Sequence, residues 1–396
     1  MPIENRKGVA VLLGITQTIS WASSFYLPGV LAAPMARDLG VETSTIYAAL
    51  SFSLMISALL GPYAGRAIDR WGGRPVLCAT NLAFAAGLAL LGVAQGPIGL
   101  FAAWAILGVA MGSGLYEAAF ATVVRYDGRE ARGSITGITL LAGFASTVGW
   151  PLSMLMESHL GWRGACYGWV ALQLLLNLPL NWLLPVARPL VPAAVAASSA
   201  PGTPSGPPWQ GRRQAFALLA LMFMLTLFIG TAASSHMPQV LQTSGLSLAA
   251  AAAAGALMGP SQVGARIIEM SLLRRMHPMF PARLATALIM IAVVLILAVG
   301  APMASLFTIV FGAGNGLLTI ARGVLPLAIF GAQGYGALQG VLMIPARIAQ
   351  GLAPWLFGIL LDRWGVQSLW LLGVLSLVSL GTLLALRADA PAPAQA

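Results

Sequence analysis

The chain has 396 residues, 58% of them hydrophobic and only 8% charged, with a formal net charge of +10. A soluble domain carries about 25% charged residues, so a soluble fold is excluded. A nucleic-acid binder is excluded as well, because the basic residues sit in short connections between apolar tracts and form no continuous polar face.

A helix needs roughly 20 apolar residues to cross about 30 Å of hydrocarbon, and inside lipid its backbone must satisfy its own hydrogen bonds. The apolar tracts predict twelve such helices, and hence an all-α membrane protein. The first, 9–34, is too long for a signal-peptide core and reads as a retained helix, with Gln17, Trp21 and Ser24 on one face. The second, 45–66, contains Gly61-Pro62. The third is 76–95. The fourth, 98–124, carries Gly112-Ser113-Gly114 and then Tyr116 and Glu117. The fifth, 134–157, contains Pro151, and the sixth is 164–185.

Residues 186–213 break this pattern with six prolines among Ala, Ser and Gly. They read as a flexible linker. It separates an N-terminal six-helix bundle, 1–185, from a C-terminal one, 214–396. The seventh helix, 215–237, places Thr226, Gly230 and Ser234 on one face, a spacing for close helix packing. The eighth, 247–270, contains Gly259-Pro260 and ends on Arg266 and Glu269, which read as a surface pair. The ninth is 283–300. The tenth, 303–329, holds Asn315, Thr319 and Arg322 on one stripe. The eleventh, 336–360, holds Gln339, Met343, Arg347 and Gln350 on another, and the twelfth is 367–386.

The two halves repeat one another. Gly61-Pro62 recurs as Gly259-Pro260 at an offset of 198, and Gly112-Ser113-Gly114-Leu115 as Gly314-Asn315-Gly316-Leu317 at 202. Gly133 to Gly137 recurs as Gly336 to Gly340, and Pro151 as Pro354, both at 203. With the N-terminus inside, the inner segments hold Arg6, Lys7, Arg66, Arg70, Arg74, Arg125, Arg129, Arg132 and most of the remaining arginines. The outer ones hold only Arg37, Arg163 and Arg363. That bias puts both termini in the cytoplasm. Cys78 and Cys166 fall near opposite faces, too far apart for a disulfide or a shared metal, and no cofactor is called for.

The segment after the second helix reads Gly65-Arg66-Ala67-Ile68-Asp69-Arg70-Trp71-Gly72-Gly73-Arg74-Pro75. It resembles the signature loop of the major facilitator superfamily, in which Gly, three residues, Asp-Arg, one residue and Gly precede basic residues. Span count, linker and repeat extend the resemblance over the whole chain. The parallel six-helix repeats of that family are related by an axis along the membrane normal. From the residues alone, Gly65 allows close approach and Gly72 a tight turn, while Asp69 can cap the next helix or pair with Arg70 or Arg74. The resemblance assigns Gly65, Asp69, Arg70, Gly72 and Arg74 to a cytoplasmic gate. Gly73 stands where the family carries a basic residue. Gly108 stands where proton-coupled drug exporters carry Arg, and Gly149-Trp150-Pro151 lacks the Gly-Gly that follows in their antiporter motif.

A charge at the bilayer centre costs at least about 2.5–3.5 kcal/mol, which singles out Glu117, Arg322 and Arg347. By resemblance the first, fourth, seventh and tenth helices line a central cavity. Glu117 and Arg322 then face each other in its inner half, with Arg347 nearer the midplane. Candidate substrate contacts are Arg347, Arg322, Gln17, Trp21, Tyr116, Asn315 and Gln350. Glu117 is either a proton-coupling carboxylate or one partner of a structural ion pair. Arg347 either meets substrate or bonds carbonyls freed near Pro345, and Arg322 either meets substrate or holds the inner gate.

The sequence contains no phosphate-binding Gly-x-x-x-x-Gly-Lys-Ser/Thr, its single lysine being Lys7, and no His-Glu-x-x-His. It therefore reads as a non-enzymatic secondary transporter in the inner membrane, monomeric, whose partners are lipid, a small solute and protons. One acid against two bases favours a small organic anion of the monocarboxylate or oxalate/formate type. The alternative is export of a toxic compound, an oxyanion or arsenical included. A solute sensor on the same fold is more remote.

Overall fold

The computed structural model describes residues 5–186 and 212–386, so most of the 186–213 linker lies outside the described residues. In chain order the helices are α1 (Arg6–Ala22), α2 (Pro28–Leu39), α3 (Thr43–Trp71), α4 (Gly73–Val93), α5 (Pro97–Gly114), α6 (Tyr116–Asp127), α7 (Arg132–Ala142), α8 (Ala145–Leu172) and α9 (Leu178–Trp182). They continue with α10 (Arg213–Thr243), α11 (Leu248–Ala256), α12 (Met258–Ser271), α13 (Met279–Val299), α14 (Ala304–Phe330), α15 (Tyr335–Trp364) and α16 (Leu369–Ala385). Among the described residues there is no strand.

By length and apolarity, nine helical stretches among the described residues can cross a membrane. One of them, 132–182, reverses at Gly161, whose φ of 70° is open to glycine. The reversal brings Trp169 Nε1 to within 3.0 Å of Ser153 Oγ, a bond that a straight helix over sixteen residues forbids. Two further crossings are interrupted: α1–α2 at Ser23–Leu27, and α11–α12 at Leu257. The passes therefore number twelve, arranged as two six-helix bundles.

Other interruptions place functional groups. The fourth pass breaks at Leu115, between α5 and α6, directly after Gly112-Ser113-Gly114. The fifth breaks at Gly143–Phe144, between α7 and α8. The sixth contains a π-helical turn at Gln173–Asn177. That turn faces Gln173 to Ser23 Oγ (2.8 Å) and Asn177 to Ser20 Oγ (3.0 Å), while Asn181 meets Asn81 (3.1 Å). These fully buried amides tie the sixth pass to the first and third, as polar side chains do between helices in lipid.

Two apolar cores lie within the bundles, one from Trp21 to Trp169 and one from Leu219 to Leu386. A third is shared: Leu13, Phe120, Ile135 and Ile138 pack with Ile320, Val324, Leu327 and Tyr335. It lies at the end that carries the 65–75 loop, where the bundles meet.

Candidate functional site

At that end, Asp69 does not cap the next helix or pair with Arg70 or Arg74, as the sequence suggested. Its carboxylate crosses to the other bundle and accepts from the backbone N–H of Gly336 (3.1 Å) and Ala337 (2.9 Å), the first turn of α15. Those N–H groups have no intrahelical partner, and the helix dipole favours an anion there. Gly65 makes the approach possible, since a Cβ on it would overlap the carbonyl of Gly336. Gly72 takes a φ of 86° and turns the chain into α4. Gly73, the departure from the family pattern, abuts Thr122, and a Cβ there would overlap the Thr122 side chain. Arg70 lies beside the Trp71 ring (5.7 Å) and Arg74 over Trp182 (4.4 Å), so both anchor aromatic side chains and neither binds the latch carboxylate. Gly108, where drug exporters carry Arg, presses on the Ser53 backbone and has no room for one.

A second latch holds the fifth pass to the eighth. Glu269 is not paired with Arg266. It is only 1% exposed and accepts from Arg132 Nη2 (2.9 Å) and Thr136 Oγ1 (3.1 Å), in the first turns of α7. Arg132 also donates to the Met276 and Leu273 carbonyls. Glu269 stands 200 positions after Asp69, so the duplication places a carboxylate against a helix start in both halves. Burial, and then the charges of Arg132 and Arg283, lower the pKa of His277 on the following loop. Glu269→Gln and Arg132→Gln should each lower the melting temperature in detergent. The double variant should fall short of their summed effect by a coupling of about 1–3 kcal/mol, and additivity would show that the pair carries no energy.

The charged centre lies deeper. The break at Leu115 puts Glu117 in the first turn of α6, a favourable place for a carboxylate. Gln17 Nε2 donates to the Gly114 carbonyl left free by the same break (2.7 Å), while its Oε1 is buried without a partner. Arg347 Nη2 contacts both Glu117 oxygens, at 3.0 and 2.8 Å, and Nη1 donates to Gln350 Oε1 (2.8 Å). Arg347 thus pairs with Glu117, and its hydrogen bonds go to Glu117 and Gln350 and not to carbonyls near Pro345. Its guanidinium also faces Trp21, 5.9 Å from the ring, and Trp21 lies 5.0 Å from Tyr116. Gln17, Trp21, Tyr116, Glu117, Arg347 and Gln350 therefore form one cluster. A small pocket lined by Gly61, Gly65, Gly112, Gly336 and Gly340 reaches Glu117 from the latch.

Arg322 stands apart from that pair. It does not bond Glu117; its Nη2 contacts Thr319 Oγ1 (3.4 Å) and its Nε the Leu318 carbonyl (3.3 Å). Asn315 lies one turn further along, against Gly230 of α10. Sequence reasoning missed Arg266, which Glu269 leaves free to turn inward, 4% exposed, toward Thr319. The signal was the repeat itself: matching Asp69 to Glu269 removes the assumed partner of Arg266.

The sequence profile of the Major Facilitator Superfamily matches residues 13–344. The chain belongs to the major facilitator superfamily. Its members are membrane transporters and not enzymes. The fold is similar to that of the human organic anion transporter MFSD10, with a TM-score of 0.72 and 18% identity over 97% of this chain and 100% of that one. The proton:xylose symporter XylE has a TM-score of 0.71 and 13% identity, over 96% and 94%. The E. coli fucose:proton symporter FucP has a TM-score of 0.67 and 14% identity, over 95% and 98%. Among curated proteins, a chloramphenicol resistance protein of Pseudomonas aeruginosa is 38% identical over 154 residues, 36% of this chain and 34% of that protein's length.

Proposed function

We propose that this superfamily member carries a small organic anion, monocarboxylate-like, by alternating access, coupled to protons or to exchange. The observation that carries the reading is charge. Arg347 spends the one carboxylate at this centre, Glu117, while Arg322 and Arg266, which both approach Thr319, have none. Among the described residues no acid lies within ion-pair distance of Arg322 or Arg266. Unneutralised charge in the membrane interior is costly, and an anionic cargo supplies the missing sign. Arg322, Arg347, Gln350, Asn315, Gln17, Trp21 and Tyr116 are its proposed contacts, and Glu117 the coupling group.

The bundles 1–185 and 214–396 rock about this centre, joined by the 186–213 linker. The Asp69 and Glu269 latches close the face that the arginine bias assigns to the cytoplasm of an inner membrane. The protein acts as a monomer. Purified protein in liposomes should take up small carboxylates faster than protein-free vesicles, and an imposed proton gradient should change the rate. Selective uptake of a neutral or cationic solute would overturn the anion reading.

The match to the chloramphenicol resistance protein supports export of a toxic compound as a second reading. Expression in a drug-susceptible host that raises tolerance, and loses the effect with Arg322→Gln, would favour it.

A further inference from the structure

We propose that Arg266 and Arg322 form a two-pronged anion site around Thr319, and that the preferred cargo is a compact dianion. This rests on the anion reading above and revises its charge class, from a monocarboxylate-like solute to a doubly charged one.

Arg266 is buried on α12, and its fork is poorly satisfied. Nη1 donates to the Thr139 carbonyl at 2.9 Å, at the broken end of α7. Nη2 reaches only Gln262 Oε1 and Thr319 Oγ1, both at 3.5 Å, and Nε is buried with no partner. Arg322 Nη2 approaches the same Thr319 oxygen at 3.4 Å. The Thr319 hydroxyl gives its proton to the Asn315 carbonyl (3.0 Å), so it turns lone pairs to both cations.

The two Nη2 atoms therefore lie within about 7 Å of each other, where like charges repel. Contacts between a guanidinium and an anionic oxygen are shorter, about 2.7–2.9 Å. The long approaches mark an oxygen that stands where an anion belongs. A single negative charge answers one of these cations and leaves the other unanswered, and Arg347 beside Arg322 adds to the imbalance although its own partner is Glu117. Two charges on one small molecule answer both, and each planar fork offers paired donors to a carboxylate or to two oxygens of a tetrahedral oxyanion.

The test is calorimetric titration of the purified full-length protein in detergent at neutral pH. Malonate and sulfate represent the two kinds of dianion, and formate and acetate represent monoanions. Dianions should bind at least about tenfold tighter, the scale of one charge-assisted contact. Arg266→Gln and Arg322→Gln should each erase that preference, while Arg266→Lys, which keeps the charge without the fork, should retain part of it. Elution as a monodisperse species would establish that each variant is folded. Tight malonate with weak sulfate would identify a dicarboxylate cargo, and equal tightness a general oxyanion site. Equal affinity for mono- and dianions, or a preference that survives both Gln variants, would overturn the proposal and leave the anion reading standing. Binding of no anion would remove both.

Discussion

Glu117→Gln should abolish proton-driven accumulation while leaving anion exchange across the membrane intact. The amide keeps the shape and the helix-start position but neither pairs with Arg347 as a charge nor carries a proton. Arg347 then joins Arg322 and Arg266 as a third free guanidinium, so anion affinity should rise. Arg347→Gln makes the opposite error. It strands a carboxylate whose side chain is only 18% exposed. Removing one partner of a buried pair costs about 3–5 kcal/mol; a bound anion offsets that cost at a stranded Arg347 but not at a stranded Glu117, so Arg347→Gln should lose transport at least about a hundredfold. The two singles therefore separate the open roles of Glu117. A purely structural carboxylate makes both variants fail alike, and Glu117→Gln/Arg347→Gln then recovers the melting temperature that each single variant loses. A coupling carboxylate leaves Glu117→Gln competent in counterflow but blind to a proton gradient, and the double variant stays uncoupled. Wild-type accumulation by Glu117→Gln would exclude the coupling role.

The helical architecture was legible because lipid imposes one rule on every pass: enough apolar length, with the backbone satisfied internally. The interruptions were less legible. Ser23–Leu27, Leu115 and Gly143–Phe144 carry no proline, and each is stabilised by side chains from other passes, such as Gln17 on the Gly114 carbonyl and Arg266 on that of Thr139. Charge pairing was misread for a related reason. Helical spacing suggested Arg266 with Glu269, three residues apart, and a local partner for Asp69. Both carboxylates instead serve the starts of helices in the opposite bundle, and only the duplication encodes that choice. Glu117, Arg322 and Arg347 were found by their cost in lipid alone, and their partners required the fold.

Gly65→Ala should stop transport, while Gly61→Ala, one turn along the same helix, should leave it nearly unchanged. At Gly61 an added Cβ meets the Gly340 carbonyl at 3.5 Å, an ordinary contact. At Gly65 it overlaps the Gly336 carbonyl, and backbone cannot swing aside as a side chain can. Overpacking of this kind costs about 1–3 kcal/mol. Opening this face of the protein relieves the overlap, so the strain should fall on the conformational equilibrium and not on folding. A shift of that size is about five- to over a hundredfold in population. Asp69→Asn should shift the balance the same way, since an anion at a partly buried helix start contributes up to about 2 kcal/mol. Spin labels on Arg66 and Arg274, one in each bundle, read the opening as a longer distance in Gly65→Ala and no change in Gly61→Ala. Transport follows the same order because a carrier held open on one face binds its cargo but cannot deliver it. Equal distances and equal rates in the two alanine variants would mean that the faces part without passing through the Gly65–Gly336 contact, and the latch would then have to be sought at Glu269.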